Sequence, residues 1–162
     1  MPHEKVDLDR LDLRLLELLQ ANARTAMPEL AEAIGLSAPA CYKRIRRLRE
    51  LGAIQRETAV VSPKTLGWSL SMTVLVVQER EDRETVADLL RRFAEHPQVL
   101  ECQNVTGDYD FVVRVVARDM EDYGDLAVSL FASDPRIRSF KTLVVIREGP
   151  ASKPLGRAPS IF

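Results

Sequence analysis

Apolar residues recur at three- and four-residue spacing from near the start of the chain. Over Val6–Asn22 they fall at Leu8, Leu11, Leu15, Leu18 and Leu19, which predicts an amphipathic helix starting near Asp7 or Asp9. A second, short helix is predicted from Pro28 through Leu30, Ala31 and Ile34, with Gly35 supplying the left-handed residue that stops it. Ser37 is a good N-cap and Pro39 suits a first turn, so a third helix should run from there to Leu51 and end at Gly52. The last two helices carry a helix-turn-helix pattern: a small residue where they cross, a glycine in the turn, and apolar anchors behind the second helix.

After Gly52 the periodicity changes. Ala53–Val61 reads as extended, and Ser62-Pro63 followed by Leu66-Gly67 reads as a hinge. Strands are then predicted over Ser69–Gln78, Val99–Thr106, Tyr109–Ala117 and Ile137–Arg147, and helices over Asp82–His96 and Met120–Ala132. The order is βαββαβ, the split arrangement of a ferredoxin-like sheet with both helices on one face. Val74 and Val76 oppose Leu75 and Val77 on one strand, as Val113 and Val115 oppose Val112 and Val116 on another. Since helices cover only one face, the open face predicts a dimer joined sheet to sheet. The last stretch, GPASKPLGRAPSIF, has no periodicity and reads as a mobile tail. The fold class is therefore α+β, with a helix-turn-helix domain over 1–61, a hinge over 62–68, a βαββαβ domain over 69–148 and a tail over 149–162.

Composition narrows the class. A chain of 162 residues that is 46% hydrophobic and 29% charged is neither disordered throughout, collagenous nor a coiled-coil rod. It has no apolar run of membrane-spanning length and a charged N-terminus, so a cytoplasmic location without a membrane partner is expected. Cys41, Cys102, His3 and His96 stand too far apart in sequence for a zinc site or a disulfide framework, so no metal or cofactor is expected. An enzyme reading rests on the ferredoxin-like half alone: no catalytic triad or phosphate loop appears, and His96 sits beside Pro97 at a helix end.

The formal net charge is −1, but the charge is unevenly placed. From Ser37 to Arg56 stand Lys43, Arg44, Arg46, Arg47, Arg49 and Arg56, against Glu50 as the sole acid. On a helical wheel Cys41, Ile45 and Leu48 share one side while Lys43, Arg46, Arg47 and Glu50 lie opposite. Cys41 is thus a core residue. Ser37, Tyr42, Lys43, Arg46 and Arg47 are candidates to reach phosphates or base edges of double-stranded DNA. Tyr42 can either meet the nucleic acid or pack on the first helix.

The stretches LDRLDLRLLELLQANAR (8–24), ELAEAIGLSAPACYKRIRRLRELGAI (29–54), SPKTLG (62–67), VTGDYDFVVRV (105–115) and KTLVV (141–145) resemble the Lrp/AsnC family of bacterial and archaeal transcription regulators. The resemblance runs from Leu8 to Glu148. It implies a winged helix-turn-helix domain, an amino-acid-sensing βαββαβ domain, and homodimers that assemble further, often to octamers. It also implies a small amino-acid effector bound between dimers at the turn Thr106, Gly107, Asp108, Tyr109 and Asp110, with Thr142 and Met120 near the same cleft. The turn has the chemistry for such a ligand. Gly107 permits close backbone approach, amides can hold an α-carboxylate, and Asp108 or Asp110 can pair with an α-ammonium. Two functions share this fold, an effector-responsive transcription regulator and a chromosome-organising protein with low sequence specificity.

Overall fold

The computed structural model describes residues 7–80, 82–147 and 149. The chain divides into two compact units, with the boundary between Ala59 and Val60. The expected tail lies outside the described residues apart from Gly149, as do Val6 and His3.

The first unit is helical. α1 (Arg10–Ala21) begins at Asp9, whose carboxylate accepts the Asp12 backbone N–H while the Asp12 carboxylate accepts that of Asp9. This reciprocal cap selects Asp9 over Asp7 as the start. α2 (Met27–Ile34) has Pro28 in its first turn and is closed by Gly35 at φ 69°. α3 (Ala38–Glu50) is capped by the Ser37 hydroxyl, which accepts the Ala40 N–H at 3.4 Å. Leu15, Leu30, Ala31, Ile34, Cys41, Ile45 and Leu48 form the core, with Leu8, Leu11, Leu18, Leu19 and Ile54 packed around it. After α3 the Ile54 N–H reaches back to the Leu48 carbonyl at 3.1 Å. Residues 55–61 then join no sheet among the described residues. A wing needs a second strand beside the first, and this segment finds none among the described residues.

The second unit begins with a 3₁₀ turn, Pro63–Leu66, closed by Gly67 at φ 89°. The elements β1 (Leu70–Gln78), α4 (Arg83–Glu95), β2 (Val99–Asn104), β3 (Phe111–Ala117), α5 (Met120–Ala127) and β4 (Ile137–Val144) follow. The sheet order is β2-β3-β1-β4 with antiparallel neighbours, which is the ferredoxin-like arrangement. A π-helical turn, Val128–Ala132, extends α5, so the helix predicted over Met120–Ala132 ends in wider backbone pairing. The core joins Met72, Val74 and Val76 of β1 to Leu89 and Phe93 of α4 and Leu126, Leu130 and Phe131 beyond β3. Phe93 meets Phe111 edge-on at 5.7 Å.

The opposite face of the sheet is only partly covered. Leu75, Val77 and Val112 are half-buried there and Arg114 and Leu143 are exposed. Val116, expected on that open face, is buried within the chain, where its N–H meets the Gln98 carbonyl at 2.9 Å.

Asp134 closes the connection from the π-helical turn to β4. It is buried, paired with Arg136 at 2.7 Å and also with Arg92 of α4. The Arg136 hydrogen bonds hold its carboxyl down at about 2, against desolvation that would raise it. A folded-state pKa below the unfolded one stabilises above the unfolded value and is lost as pH falls through the folded value. Acid titration from pH 5 to 2 should therefore remove about 2 kcal/mol of stability through this group. Asp134→Asn should be less stable at pH 6 and should flatten the pH dependence between 4 and 2, measured by urea unfolding. An unchanged pH profile in that variant would assign the acid sensitivity to other groups.

Candidate functional site

α3 carries its chemistry on the side turned away from the core. Cys41, Ile45 and Leu48 face inward with no more than 2% exposure, and burial pushes the Cys41 thiol pKa up. Tyr42 is 56% exposed, so of its two readings, packing on α1 is set aside. Ser37, Lys43 and Arg46 are also exposed. Lys43 and Arg46 lie on the outward side that the wheel gave them, and Ser37 and Tyr42 are exposed beside them at the start of the helix.

The arginines are not equivalent. Arg44 Nη1 donates to Asp12 Oδ1 at 2.8 Å and to Asp9 Oδ2 at 2.6 Å. Arg47 Nη1 donates to Asp12 Oδ2 at 2.9 Å, and its Nη2 donates to the Asp7 carbonyl at 2.9 Å. Asp12 has no solvent exposure. Two guanidiniums from successive turns of α3 therefore meet a single buried carboxylate at the start of α1. The Asp12 backbone N–H, followed by Arg44, holds the Asp9 carboxyl below its usual range, and the Asp9 and Asp12 contacts push Arg44 up.

Arg46 pairs with Glu50 at 2.8 Å and Arg49 with Glu57 at 2.7 Å, both on the surface. No ion pair forms at Lys43 among the described residues. The cationic run is thus divided between an anchor, Arg44 and Arg47, and an outward set, Lys43 and Arg46. Arg47, expected to contact a duplex, ties α3 to α1 and keeps 46% of its side chain exposed. The sequence signal for this role was the Asp9, Asp12 pair at capping-box spacing, which a wheel of α3 alone does not include.

The turn from β2 to β3 places Thr106, Gly107 and Asp108 in solvent and Tyr109 and Asp110 half-buried. Gly107 has φ 131°, a backbone region that side-chain-bearing residues rarely enter. Asp110 secures the turn: its Oδ2 accepts the Gln78 N–H at 2.7 Å and its backbone N–H donates to the Val76 carbonyl at 2.9 Å. Its carbonyl accepts from Asn104 Nδ2 and from the Val105 N–H, both at 2.8 Å. Of the two carboxylates expected to meet an ammonium, only Asp108 stands free of such work among the described residues.

Met120 and Thr142 lie elsewhere. Thr142 is half-buried opposite Val74, its hydroxyl hydrogen-bonded to that of Tyr123. Met120 opens α5 and is 58% exposed. The strand register sets Phe111, just after the turn, against Val76, and Ala117, just before α5, against Leu70. At the rise of an extended strand this separation is roughly 20 Å. A single chain therefore does not gather Met120 and the Gly107 turn into one cleft.

Two family profiles match the chain: the AsnC-type helix-turn-helix domain over residues 8–49 and the Lrp/AsnC ligand binding domain over residues 71–154. An uncharacterised HTH-type transcriptional regulator of Sinorhizobium fredii is 40% identical over 87% of this chain and 83% of its own length. The leucine-responsive regulatory protein of Rhizobium meliloti is 30% identical over 89% of this chain and 92% of its own. Among solved structures, a transcriptional regulator of Neisseria meningitidis in complex with L-Met has a TM-score of 0.83 at 25% identity, covering 92% of this chain and 96% of that one. AsnC of E. coli has a TM-score of 0.79 at 26% identity, covering 91% and 97%.

Removing the Asp12 carboxylate leaves Arg47 without an acid and Arg44 with Asp9 alone. Asp12→Ala should lower stability by about 2–3 kcal/mol at pH 7, whereas Arg46→Ala, which breaks an exposed pair, should change it by less than about 0.5 kcal/mol. Urea midpoints compare the two directly. Equal midpoints would show that the Asp12 network carries no more weight than a surface pair.

Proposed function

Because the chain belongs to the Lrp/AsnC family of transcriptional regulators, we propose that α3 is its recognition helix and that a small amino-acid effector modulates its DNA binding or assembly. In this reading residues 1–61 bind double-stranded DNA, 62–68 form a hinge, and 69–148 sense the effector and self-associate, in the cytoplasm.

The observation that carries the DNA half is the outward surface of α3. Tyr42, Lys43 and Arg46 project from a helix whose opposite face is buried and whose rotation is held by Asp12. Ser37, at the helix start, adds a hydroxyl and free backbone amides near a phosphate. The exposed Arg46–Glu50 pair is cheap to exchange for a phosphate contact; the Arg44 and Arg47 pairs with a buried carboxylate are not. So few free cations favour reading a site over wrapping any duplex, which weighs against the chromosome-organising alternative.

The effector half rests on Gly107 and Asp108 at an exposed turn, with L-Met bound to the Neisseria regulator as support for the ligand class. With Met120 at the far end of the sheet from the Gly107 turn and Thr142 midway along β1, opposite Val74, a cleft that includes Met120 needs a second chain to supply one end. The half-buried Leu75, Val77 and Val112 give the open sheet face an apolar surface for a homodimer, from which larger closed assemblies such as an octamer can build.

Replacing Lys43 and Arg46 together by Ala should weaken DNA binding and reduce the slope of log affinity against log salt by about one unit for each lost phosphate contact. Unfolding midpoints should stay near wild type. An unchanged affinity and slope would place this surface outside the interface. Separately, Val112→Asp sets a charge in the middle of the open sheet face, and sedimentation of the full chain at micromolar concentration should then show a smaller species than wild type. The same assembly in both would move the self-association surface elsewhere.

A further inference from the structure

Arg44 is held by two acids of different standing. Asp12 is sealed from water, whereas the Asp9 side chain is 52% exposed and that of Arg44 is 28% exposed. Asp9 spends Oδ1 on capping α1 and meets Arg44 through Oδ2, at 2.6 Å. An ion pair at the surface exchanges its partners readily, while a pair with a buried carboxylate does not. One hydrogen of Arg44 Nη1 can therefore change acceptor while the other stays on Asp12.

Asp9 and Arg44 line a cavity of about 760 Å³ together with Lys43, Arg46 and Arg47. Through Lys43 and Arg46 this cavity is continuous with the outward side of α3. Glu50, also at its border, screens Arg46 there as Asp9 screens Arg44.

We propose that a backbone phosphate of DNA sits in this cavity on Arg44, and that Asp9 holds the seat in the free protein as an internal counter-ion. This rests on the reading of α3 as the recognition helix and adds a contact which that reading leaves out. The phosphate oxygen accepts the Nη1 hydrogen that Asp9 gives up, with Lys43 as a second cation lining the same cavity. Arg44 suits the role because Asp12 has already fixed its guanidinium, so little freedom is lost when the phosphate arrives. Asp9 acts in the opposite sense. A carboxylate at the seat opposes every duplex alike, since phosphates carry no sequence, and it leaves discrimination to the groups that reach base edges.

The test is fluorescence anisotropy of a labelled, mixed-sequence DNA duplex titrated with the full-length protein at several salt concentrations, for wild type, Asp9→Asn and Asp9→Ser. Asn and Ser cap helices as well as Asp does, so both variants should melt near wild type with the charge removed. Each should bind about threefold more tightly at the lowest salt, with a slope of log affinity against log salt steeper by about one unit, the share of one phosphate contact. Glu17→Gln makes the same charge change about two turns further along α1, outside the cavity, and should leave affinity and slope as they are. In an Arg44→Gln background, whose amide can still donate to Asp12, Asp9→Asn should bring no gain. Wild-type binding by both Asp9 variants, an equal gain in Glu17→Gln, or a gain that survives Arg44→Gln overturns the seat at Arg44. Any of these leaves α3 as the recognition helix so long as replacing Lys43 and Arg46 together by Ala weakens binding to the same duplex. Undiminished binding in that double variant overturns the α3 reading itself.

Discussion

A carboxylate sealed from water must be met by cations, and at Asp12 that requirement organises the helical unit. Desolvating one charge costs several kcal/mol unless it is paired and fully hydrogen-bonded, far more than the roughly 0–1 kcal/mol carried by an exposed pair. Arg44 and Arg47 are three positions apart on α3 and so point the same way. Once both are drawn to Asp12, α3 can turn only one face outward, the one that carries Tyr42, Lys43 and Arg46. Gly35 and Gly52, both in the left-handed region, follow the ends of α2 and α3, and the Ser37 cap sets where α3 begins. Recognition in this chain thus depends on an acid that touches no solvent and, in this reading, no nucleic acid.

The sheet obeys a different constraint with a similar result. Alternation along β1 sends Met72, Val74, Val76 and Gln78 to the helices and Leu75 and Val77 to the open face. A polar residue in the inward series breaks the apolar run where β1 meets the Gly107 turn. Asp110 binds that turn to β1, its carboxylate accepting the Gln78 N–H and its own N–H donating to the Val76 carbonyl, which gives a support beneath an exposed loop. The support belongs to one chain, whereas Met120 lies toward the other end of the strands and Thr142 midway, opposite Val74. Intrachain geometry therefore keeps Met120 apart from the Gly107 turn.

Local charge along a sequence and free charge on a surface are separate quantities here. The run of six basic residues over 37–56 reads as a strong cationic patch, yet Arg44, Arg46, Arg47 and Arg49 each meet an acid in the fold. Some of those acids, Asp9 and Asp12, lie more than thirty positions away. The exposed pairs screen charge reversibly, while the buried Asp12 carboxylate holds two partly exposed guanidiniums in place.

Helix and strand periodicity, capping residues and turn glycines act over a few positions, so the sequence alone determined the three helices, the helix-turn-helix, and the βαββαβ order with its inward and outward faces. Its errors there were small: the strand ends near Thr106, Tyr109 and Arg147, and the π-helical end of α5. The tertiary structure decided whatever depends on residues distant in sequence. It placed Arg47 on Asp12, committed Asp110 to β1, buried Val116 and left Gln78 Oε1 without a donor among the described residues. It also set Met120 and the Gly107 turn at opposite ends of one sheet. Each of these is a pairing or a separation between positions that no local period relates, and only packing brings such groups together or holds them apart.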